Sequence, residues 1–441
     1  MTSWWCENAW LPPGGVAARV LVSVADGRIT GIETGVDCPP TAQRLAGLVI
    51  PGLANAHSHA FHRALRGQPQ GGLGDFWTWR EQMYAVATRL DPVNYLALAR
   101  ATYAEMALAG ITCVGEFHYV HHQAGGVPYS DPNIMGAALI EAAAQVGVRL
   151  TLLDACYLAG GIDEPLAPAQ QRFSDGDAAR WVARVDSLAR AAHVRIGAAI
   201  HSVRAVPADQ LGDVADWAHS CGVPLHFHLS EQLAENAACV ARYGVTPTRL
   251  LADSGVLGAS SVAIHATHLD AGDIGLLAAN STGVCLCPTT ERDLADGIGP
   301  AGALAAAGVA LSVGSDGQSV IDLFEEARGI ELDERLAAGR RGTFTAASLL
   351  DAATVAGHHA LGWPDAGQLA VGMRADLVAV DLLSRRTAGA GATAEAVVFA
   401  ASASDITDVV VDGAVVARDR HHVRFGNGGT ALRDAIDAVT R

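Results

Sequence analysis

Residues 51–62 read PGLANAHSHAFH and follow a short apolar run at residues 48–50. In an extended strand alternate side chains point to the same face, so His57 and His59 can present both imidazoles to one point. Imidazole is a good ligand for a borderline divalent metal such as zinc. The pair predicts a metal site at a strand end, although two neighbouring histidines also occur in ordinary loops.

Strand-like apolar runs alternate with helical stretches through the middle of the chain. The runs begin near residues 112, 150, 196, 225, 262, 283 and 311. Alanine- and leucine-rich helical patterns, such as 92–108 and 207–219, separate them. Repeated strand–helix units of this length predict a parallel (β/α)8 TIM-type barrel, expected over residues 51–365.

The two chain ends have a different texture. Short alternating runs flank Asp26-Gly27, a hairpin signal, and similar runs return after residue 375. These segments predict a small β-sandwich domain built from residues 1–50 and 366–441, with a helix at the C-terminus. The predicted fold class is therefore α/β, a barrel with a small β-domain.

Composition limits the classes of function. Half of the 441 residues are hydrophobic and 17% are charged, which predicts a sizeable core. A net charge of −16 argues against a nucleic-acid partner. No apolar run approaches the roughly 20 residues that span a bilayer. The first residues lack the pattern of a secretory signal, and the eight cysteines have no zinc-ribbon spacing, so a cytoplasmic protein is expected.

Polar side chains fall at the C-terminal ends of the predicted strands, which form the active-site face of a TIM-type barrel. They are His57, His59, Glu116, His118, His201, His226, His228, His265 and Asp316. One strand-end histidine is more often structural than a ligand, but several successive ones favour a site. At this point His226 and His228 are rivals for one ligand position.

The HxH pair, His228 with Glu231, and the later His265 and Asp316 resemble the amidohydrolase superfamily over nearly the whole chain. Within it, the pattern is similar to the mononuclear deaminases, whose H-x-x-E spacing selects His228 over His226. The resemblance implies one divalent metal, zinc or alternatively iron(II). The implied ligands are His57, His59, His228 and Asp316.

The chain contains no lysine, so all thirty basic side chains of the Lys and Arg type are arginine. Some members of the superfamily bridge two metals with a carboxylated lysine, which this chain cannot supply. A mononuclear site is therefore favoured.

The resemblance also implies catalytic roles. A bound zinc lowers the pKa of its water from about 15.7 to about 7, which supplies a nucleophile at neutral pH. Glu231 would carry a proton to the leaving nitrogen, as the non-ligand glutamate of zinc deaminases does. Asp316 would accept the proton of the water, and His265 would orient the nucleophile and stabilise the tetrahedral intermediate.

Longer stretches are similar to the formimidoylglutamate deiminase family. They are HSHAFHRALRG, DFWTWREQMY, GEFHYVHH, HSVRAV, HATHLD and CPTTERDLADG. The resemblance implies hydrolysis of N-formimino-L-glutamate to N-formyl-L-glutamate and ammonia, a reaction of histidine degradation. The alternative is another amidohydrolase deaminase, acting on a purine, pyrimidine or guanidino compound. A barrel that lost catalysis and serves as a scaffold is disfavoured by the intact set of site residues.

A small dicarboxylate with a cationic formamidine requires local arginines in an acidic protein. The implied substrate-binding residues are Arg80, Arg204, Tyr119, His201 and His62. Two positions depart from the family pattern, because His62 stands where glutamine is expected and Gly317 where serine is expected. The expected partners are the small dicarboxylate and, as for many large barrels, a possible second copy in a homodimer.

Overall fold

The computed structural model describes residues 2–67 and 76–441; Asp75, the first residue of the stretch DFWTWREQMY, lies outside them. The strands of this part are β1 (Thr2–Leu11), β2 (Gly15–Ala25), β3 (Arg28–Glu33), β4 (Gln43–Pro51), β5 (Leu53–Ser58), β6 (Ile111–His118), β7 (Arg149–Cys156), β8 (Val194–Ile200), β9 (Leu225–Leu229), β10 (Ser261–His265), β11 (Gly283–Leu286), β12 (Leu311–Val313), β13 (Leu377–Val380), β14 (Ile406–Val411), β15 (Ala414–Arg418) and β16 (His421–His422).

The α-helices between and after the strands are mostly short. They are α1 (Phe76–Arg89), α2 (Pro92–Leu108), α3 (Ile134–Val146), α4 (Ala178–Val185), α5 (Leu211–Cys221), α6 (Leu233–Tyr243), α7 (Pro247–Asp253), α8 (Ala271–Ala279), α9 (Pro288–Asp293), α10 (Ala301–Ala306), α11 (Leu323–Ala338), α12 (Ala346–Asp351), α13 (Gly357–Ala360) and α14 (Gly429–Thr440). Among the described residues, none of these helices combines the length and apolarity that a membrane crossing requires.

Strands β5 to β12 form one parallel sheet in chain order, which nearly closes into a barrel. Every residue of β6 and β7 is buried, as expected of parallel strands covered on both faces. At the seam between β5 and β12, Ser58 forms a parallel bridge with Asp316. The Asp316 amide also donates to the His57 carbonyl at 3.0 Å. The predicted (β/α)8 class is confirmed.

Local sequence explains where the helices begin. Helix α2 matches the predicted stretch 92–108, because the Asp91 carboxylate accepts from the Val93 and Asn94 amides and Pro92 occupies the first turn. Helix α5 begins later than the predicted residue 207. One turn of 3-10 helix at Ala208–Gln210 precedes it. The predicted element exists, and its boundary moves by four residues.

Both chain ends contribute to a second sheet, ordered β16-β15-β14-β13-β4-β1-β2-β3. Strand β4 lies at its centre, parallel to β1 and antiparallel to β13. One face of this sheet buries a separate apolar cluster that includes Trp4, Val22 and Leu377. The prediction that the two ends fold together into a small β-domain is confirmed, with its strands hydrogen-bonded as one sheet.

Strand β4 of the small sheet continues into barrel strand β5 through Gly52. A Cβ atom at this position would lie 2.3 Å from Thr112 Oγ1 and 2.8 Å from Asp376 Cβ, so only glycine fits. Beside this crossing, the buried Arg149 guanidinium donates to both carboxylate oxygens of Asp376, with 3.0 Å from Nη1 to Oδ1. This ion pair joins the base of the barrel to the small sheet.

The C-terminal helix α14 packs on the barrel helices α1 and α2. Ala435 and Val439 of α14 are buried in the main hydrophobic core. Arg89 Nη1, at the end of α1, donates to the Thr440 carbonyl at 2.6 Å. The end of the chain is therefore held against the outside of the barrel.

Candidate active site

The four predicted metal ligands meet at the C-terminal mouth of the barrel. His57 lies in β5 and His59 just beyond it, His228 lies in β9, and Asp316 follows β12. His57 Nε2 lies 3.2 Å from His228 Nε2 and 3.2 Å from Asp316 Oδ1. His59 Nε2 lies 3.4 Å from the same carboxylate oxygen. All four side chains are buried.

Backbone carbonyls fix the tautomers of two of these histidines. His59 Nδ1 donates to the Phe117 carbonyl at 2.9 Å, and His228 Nδ1 donates to the His201 carbonyl at 2.8 Å. Burial first, and then neighbouring histidines, hold the pKa of His228 well below its ordinary value, so the ring is neutral. With its proton on Nδ1, each ring presents the Nε2 lone pair to the common point.

This donor set fits one divalent cation. Burial lowers the pKa of His57 to about 3 against the opposing effect of Asp316, so its imidazole is also neutral. Burial alone would raise the pKa of Asp316, but the hydrogen bond from His57 and the charge of His265 bring it far below its usual range. Ligand bonds of about 2.1 Å around one ion separate its donor atoms by roughly 3.4 Å. His57 lies near this distance from His228 and from Asp316, as does His59 from Asp316. The donor atoms form two overlapping groups that share His57, one with His59 and Asp316 and one with His228 and His265.

His226 lies on the same strand as His228 but outside this cluster. Its Nε2 donates to the Ala360 carbonyl at 2.9 Å, on the side of β9 that faces helix α13. Alternation places His226 on the same face of β9 as His228, but one pleat earlier along the strand, so it lies farther from the C-terminal mouth. Of the two rivals, the structure brings His228 to His57.

His265 lies between the predicted ligands and Glu231. Its Nε2 is 3.8 Å from Asp316 Oδ2 and 3.9 Å from Glu231 Oε1, while Nδ1 donates to Glu291 Oε1 at 3.3 Å. Burial lowers the pKa of His265, but the hydrogen bond to Glu291 and the nearby carboxylates outweigh it and bring the pKa to about 10. The residue also has a φ of +66°, a left-handed conformation that is costly for a non-glycine residue.

Glu231 and Arg204 contact each other directly. Arg204 Nη2 donates to Glu231 Oε2 at 2.9 Å, and Arg204 Nε lies 2.8 Å from Glu235 Oε2. Their side chains are 15% exposed for Arg204, 8% for Glu231 and 0% for Glu235. The predicted carboxylate-binding arginine therefore already engages two carboxylates of the protein.

A cavity of about 670 Å³ opens beside the ligand cluster. Its lining includes every predicted site residue except the fully buried His57. These are His59, His62, Arg80, Tyr119, His201, Arg204, His228, Glu231, His265 and Asp316. Aromatic residues that the sequence analysis did not assign complete the wall, namely Trp79, Tyr84, Tyr157 and Phe173.

The cavity wall carries groups of both charges. The guanidinium groups of Arg80 and Arg204 line it together with the carboxylates of Glu231 and Asp316. Burial, and then the charge of Arg204, hold the pKa of His201 well below its ordinary value. A pocket of this kind suits a ligand with an anionic part and a cationic part.

The two departures from the family pattern have defined contacts. His62 Nε2 lies 3.0 Å from the Tyr119 hydroxyl, so the two predicted substrate-binding residues hydrogen-bond to each other. The Gly317 amide donates to Thr290 Oγ1 at 3.0 Å. The adjacent Gln318, fully buried, donates to the Asp316 carbonyl at 3.0 Å. Polar support for the loop that carries Asp316 therefore comes from these neighbours.

Sequence reasoning missed several residues that support the site. Glu291 orients His265, and it lies inside the stretch CPTTERDLADG, which was quoted without an assignment. Glu235 contacts Arg204, and its only sequence signal is a position one helical turn after Glu231. Glu116 was named from the sequence as a strand-end candidate without a role, and it accepts from Ser58 Oγ at 2.8 Å between the two HxH histidines.

A second histidine–carboxylate group lies deeper, formed by His118, His121 and Asp154. Arg184 donates to both Asp154 oxygens, at 2.7 and 2.9 Å. The guanidinium already neutralises the carboxylate, which makes this group a poor cation site. Arg184 also contacts Asp175, at 2.9 Å.

Known proteins with similar sequences are enzymes. The amidohydrolase family profile matches residues 48–416. A formimidoylglutamate deiminase of Pseudomonas aeruginosa is 36% identical over 437 residues, covering 96% of each chain. A 5-methylthioadenosine/S-adenosylhomocysteine deaminase of Natronomonas pharaonis is 30% identical and covers 95% of this chain and 92% of its own.

Solved structures agree with the fold. An amidohydrolase from Brucella melitensis superposes with a TM-score of 0.92 and 32% identity over all of both chains. An adenosine deaminase from Xanthomonas campestris with bound zinc gives a TM-score of 0.86 and 25% identity over 99% of this chain and 98% of its own. The profile match and these relatives make the chain a hydrolytic enzyme of the deaminase and deiminase type. It belongs to the amidohydrolase family.

Proposed function

We propose that the enzyme hydrolyses N-formimino-L-glutamate to N-formyl-L-glutamate and ammonia. The observation that carries this proposal is the mixed charge of the cavity wall, which contains the guanidinium groups of Arg80 and Arg204 and the carboxylates of Glu231 and Asp316. The substrate has complementary charges, because two carboxylates accompany one cationic formamidine. Similarity to the formimidoylglutamate deiminase of Pseudomonas aeruginosa supports the same substrate.

The roles of the side chains follow from their contacts. His57, His59, His228 and Asp316 hold the cation, which we assign as zinc. When bound, the ion would supply an acidified water as nucleophile. Asp316 Oδ2 accepts the proton of the attacking water. His265, 3.8 Å from that oxygen, donates a hydrogen bond to the developing negative charge.

Glu231 moves the second proton. Its Oε1 faces His265 Nε2 at 3.9 Å, on the cavity wall beside the ligand cluster. The leaving nitrogen must be protonated to depart as ammonia, and a carboxyl group at this position delivers the proton. Arg80 and Arg204 bind the substrate carboxylates, with His62, Tyr119 and His201 as further hydrogen-bonding groups.

A second candidate is a deaminase acting on a purine, pyrimidine or guanidino compound. The aromatic wall formed by Trp79, Tyr84, Tyr157 and Phe173 favours it, since a planar base can stack there. The similarity to 5-methylthioadenosine/S-adenosylhomocysteine deaminase points the same way. Two arginines beside the site are not needed for a neutral base, which places this candidate second.

The deciding experiment measures ammonia release from N-formimino-L-glutamate beside guanine, cytosine and N-guanidinoglutarate, with metal analysis of the same preparation. We expect turnover of the formimino substrate and about one metal ion per chain. Arg80→Ala should weaken kcat/KM for this substrate by about 2–5 kcal/mol if the lost pair is desolvated. Faster release from guanine or cytosine would overturn the proposal in favour of the second candidate.

A further inference from the structure

The pairing of Arg204 with Glu231 conflicts with the work proposed for each of them. A carboxylate hydrogen-bonded to a guanidinium must give up that contact to reach a leaving nitrogen, and a guanidinium engaged by two carboxylates has fewer donors left for a substrate anion. Arg204 contacts Glu231 at 2.9 Å and Glu235 at 2.8 Å. The substrate-free enzyme thus keeps its proton carrier restrained by its substrate-binding residue.

We propose that Arg204 exchanges partners when substrate binds: the substrate carboxylate replaces Glu231 at Arg204, and Glu231 turns to the cationic formamidine, while Glu235 keeps the guanidinium in place. This inference rests on the function proposed above. It makes Glu235 a positioning residue. It also makes an acidic substrate a condition for releasing Glu231 from Arg204. The enzyme would therefore discriminate between substrates in the rate of turnover as well as in the strength of binding.

Charge balance supports the exchange. Arg204 with Glu231 and Glu235 forms a group of one cation and two anions, and an added carboxylate alone would leave three anions around one cation. The bound substrate brings its own cation next to its α-carboxylate. Each new ion pair therefore replaces one that is lost, and no buried charge is left without a partner.

The distances are compatible with this exchange. The α-carboxylate of the substrate is separated from the formimino carbon by only the amidine nitrogen and Cα. Arg204 and Glu231 are direct neighbours that both line the cavity. A ligand with its anion and cation this close together can therefore contact both side chains at once.

Glu235 is suited to remain in place during the exchange. It lies in the first turn of α6, its side chain is fully buried, and its Oε1 accepts from the Ser230 amide at 2.9 Å. That hydrogen bond leaves Oε2 directed at Arg204 Nε. Glu231 contacts Arg204 at 2.9 Å and, at the longer distance of 3.9 Å, His265.

The test uses the metal-loaded enzyme and a truncated substrate, N-propylformamidine, which has the cation and no carboxylate. We expect its turnover to be slow and to rise at least about tenfold, saturably, when propionate is added, because the free carboxylate takes Arg204 from Glu231. Sodium chloride at equal ionic strength should not stimulate. Propionate that inhibits, or leaves the rate unchanged, overturns the exchange.

Glu235→Gln provides a second test. The glutamine keeps an oxygen for the Ser230 amide but removes the charge that anchors Arg204. We expect kcat for N-formimino-L-glutamate to fall on the order of tenfold with a smaller change in KM, and propionate stimulation to disappear. Glu235→Asp should recover part of both. Glu141→Gln, on the exposed face of α3, is the charge-matched control and should behave as wild type.

The outcomes separate this inference from the proposed function. Wild-type enzyme that releases no ammonia from N-formimino-L-glutamate contradicts the function itself. Normal release, combined with an unchanged kcat in Glu235→Gln and no propionate stimulation, leaves the function intact and overturns only the exchange.

Discussion

Both ends of the barrel bury charged groups, but the two clusters differ in how donors and acceptors are matched. At the base, the Arg149 guanidinium donates to both oxygens of Asp376, so each donor meets an acceptor. At the mouth, the Nε2 lone pair of His59 lies 3.4 Å from Asp316 Oδ1, and the Nε2 lone pair of His228 lies 3.2 Å from His57 Nε2. Acceptors that face one another require a cation, whereas a matched ion pair is already complete.

The comparison offers a way to separate structural from functional clusters. Burial and residue type do not distinguish them, because both ends of the barrel contain fully buried charges. The internal group of His118, His121 and Asp154 has the composition of a metal site. Arg184 already pairs with its carboxylate, as in a structural ion pair. The count of unmatched lone pairs, rather than the count of histidines, indicates the cation site.

Asp316→Asn should have the largest effect on metal content and turnover. If it had none, the contrast drawn between the mouth and the base of the barrel would fail. The amide removes the anionic ligand, so metal content should fall and turnover should drop on the order of a thousandfold or more. Metal analysis and ammonia release measure both. Asp37→Asn, with a side chain that is 95% exposed, is the matched control. Stoichiometric metal and full turnover in Asp316→Asn would show that the Asp316 carboxylate is not a required ligand.

Glu231→Gln sharpens the distinction within the mouth. Glutamine keeps the shape of the side chain and cannot carry a proton, so the variant should retain its metal and lose a factor of about 10²–10⁴ in kcat. Ammonia release and metal content are measured on one preparation. Full activity would remove the proton-carrying role of Glu231.

Arg149→Met tests the base. The substitution leaves Asp376 buried without its partner, so the free energy of unfolding should fall by about 3–5 kcal/mol in urea titrations. Activity per folded molecule should stay near that of wild type, because the base is at the opposite end from the ligands. A further Asp376→Leu substitution should restore part of the stability. Loss of metal without loss of stability would contradict the structural assignment.

The last prediction concerns the pH dependence of stability, which we expect Glu116 to influence. Burial raises its pKa to about 8, although the Ala60 amide and the Ser58 hydroxyl donate to it. The folded protein therefore keeps a proton that the unfolded chain releases above about pH 4.5. The stability from this group is full below that pH and is lost as the pH rises through about 8.

Glu116→Gln cannot titrate, so its unfolding free energy should decline less than that of wild type between pH 5 and 8. Urea unfolding at pH 5, 6.5 and 8 measures the difference. Parallel pH profiles for the two proteins would mean that Glu116 is ionised in the folded state.

The local patterns of the sequence predicted much of the fold. Strand-end placement brought the predicted ligands to one rim, because parallel strands carry their C-terminal side chains to the same end of the barrel. Helix α2 was predicted to the residue, since an aspartate cap and a proline mark its start. The resemblance, rather than spacing, selected His228 over His226, and the geometry agrees with that choice.

Contacts between distant segments were beyond local patterns. The carbonyls of Phe117 and His201 that fix the histidine tautomers depend on how neighbouring strands are placed, and carbonyls carry no sequence signal. Arg204 was predicted as a substrate-binding residue, but its contacts to Glu231 and Glu235 join the ends of β8 and β9. Such pairings require the three-dimensional arrangement.

The seam at Ser58 and Asp316 has a consequence for the local stability of the barrel. Few backbone hydrogen bonds join β5 to β12 at this seam, and predicted metal ligands lie on both sides of it. A bound metal ion would bridge the seam, so closure of the barrel would depend on whether the metal site is occupied. Removal of the metal by a chelator should then loosen this seam before any other part of the barrel. Amide hydrogen exchange should become faster first in β5 and β12.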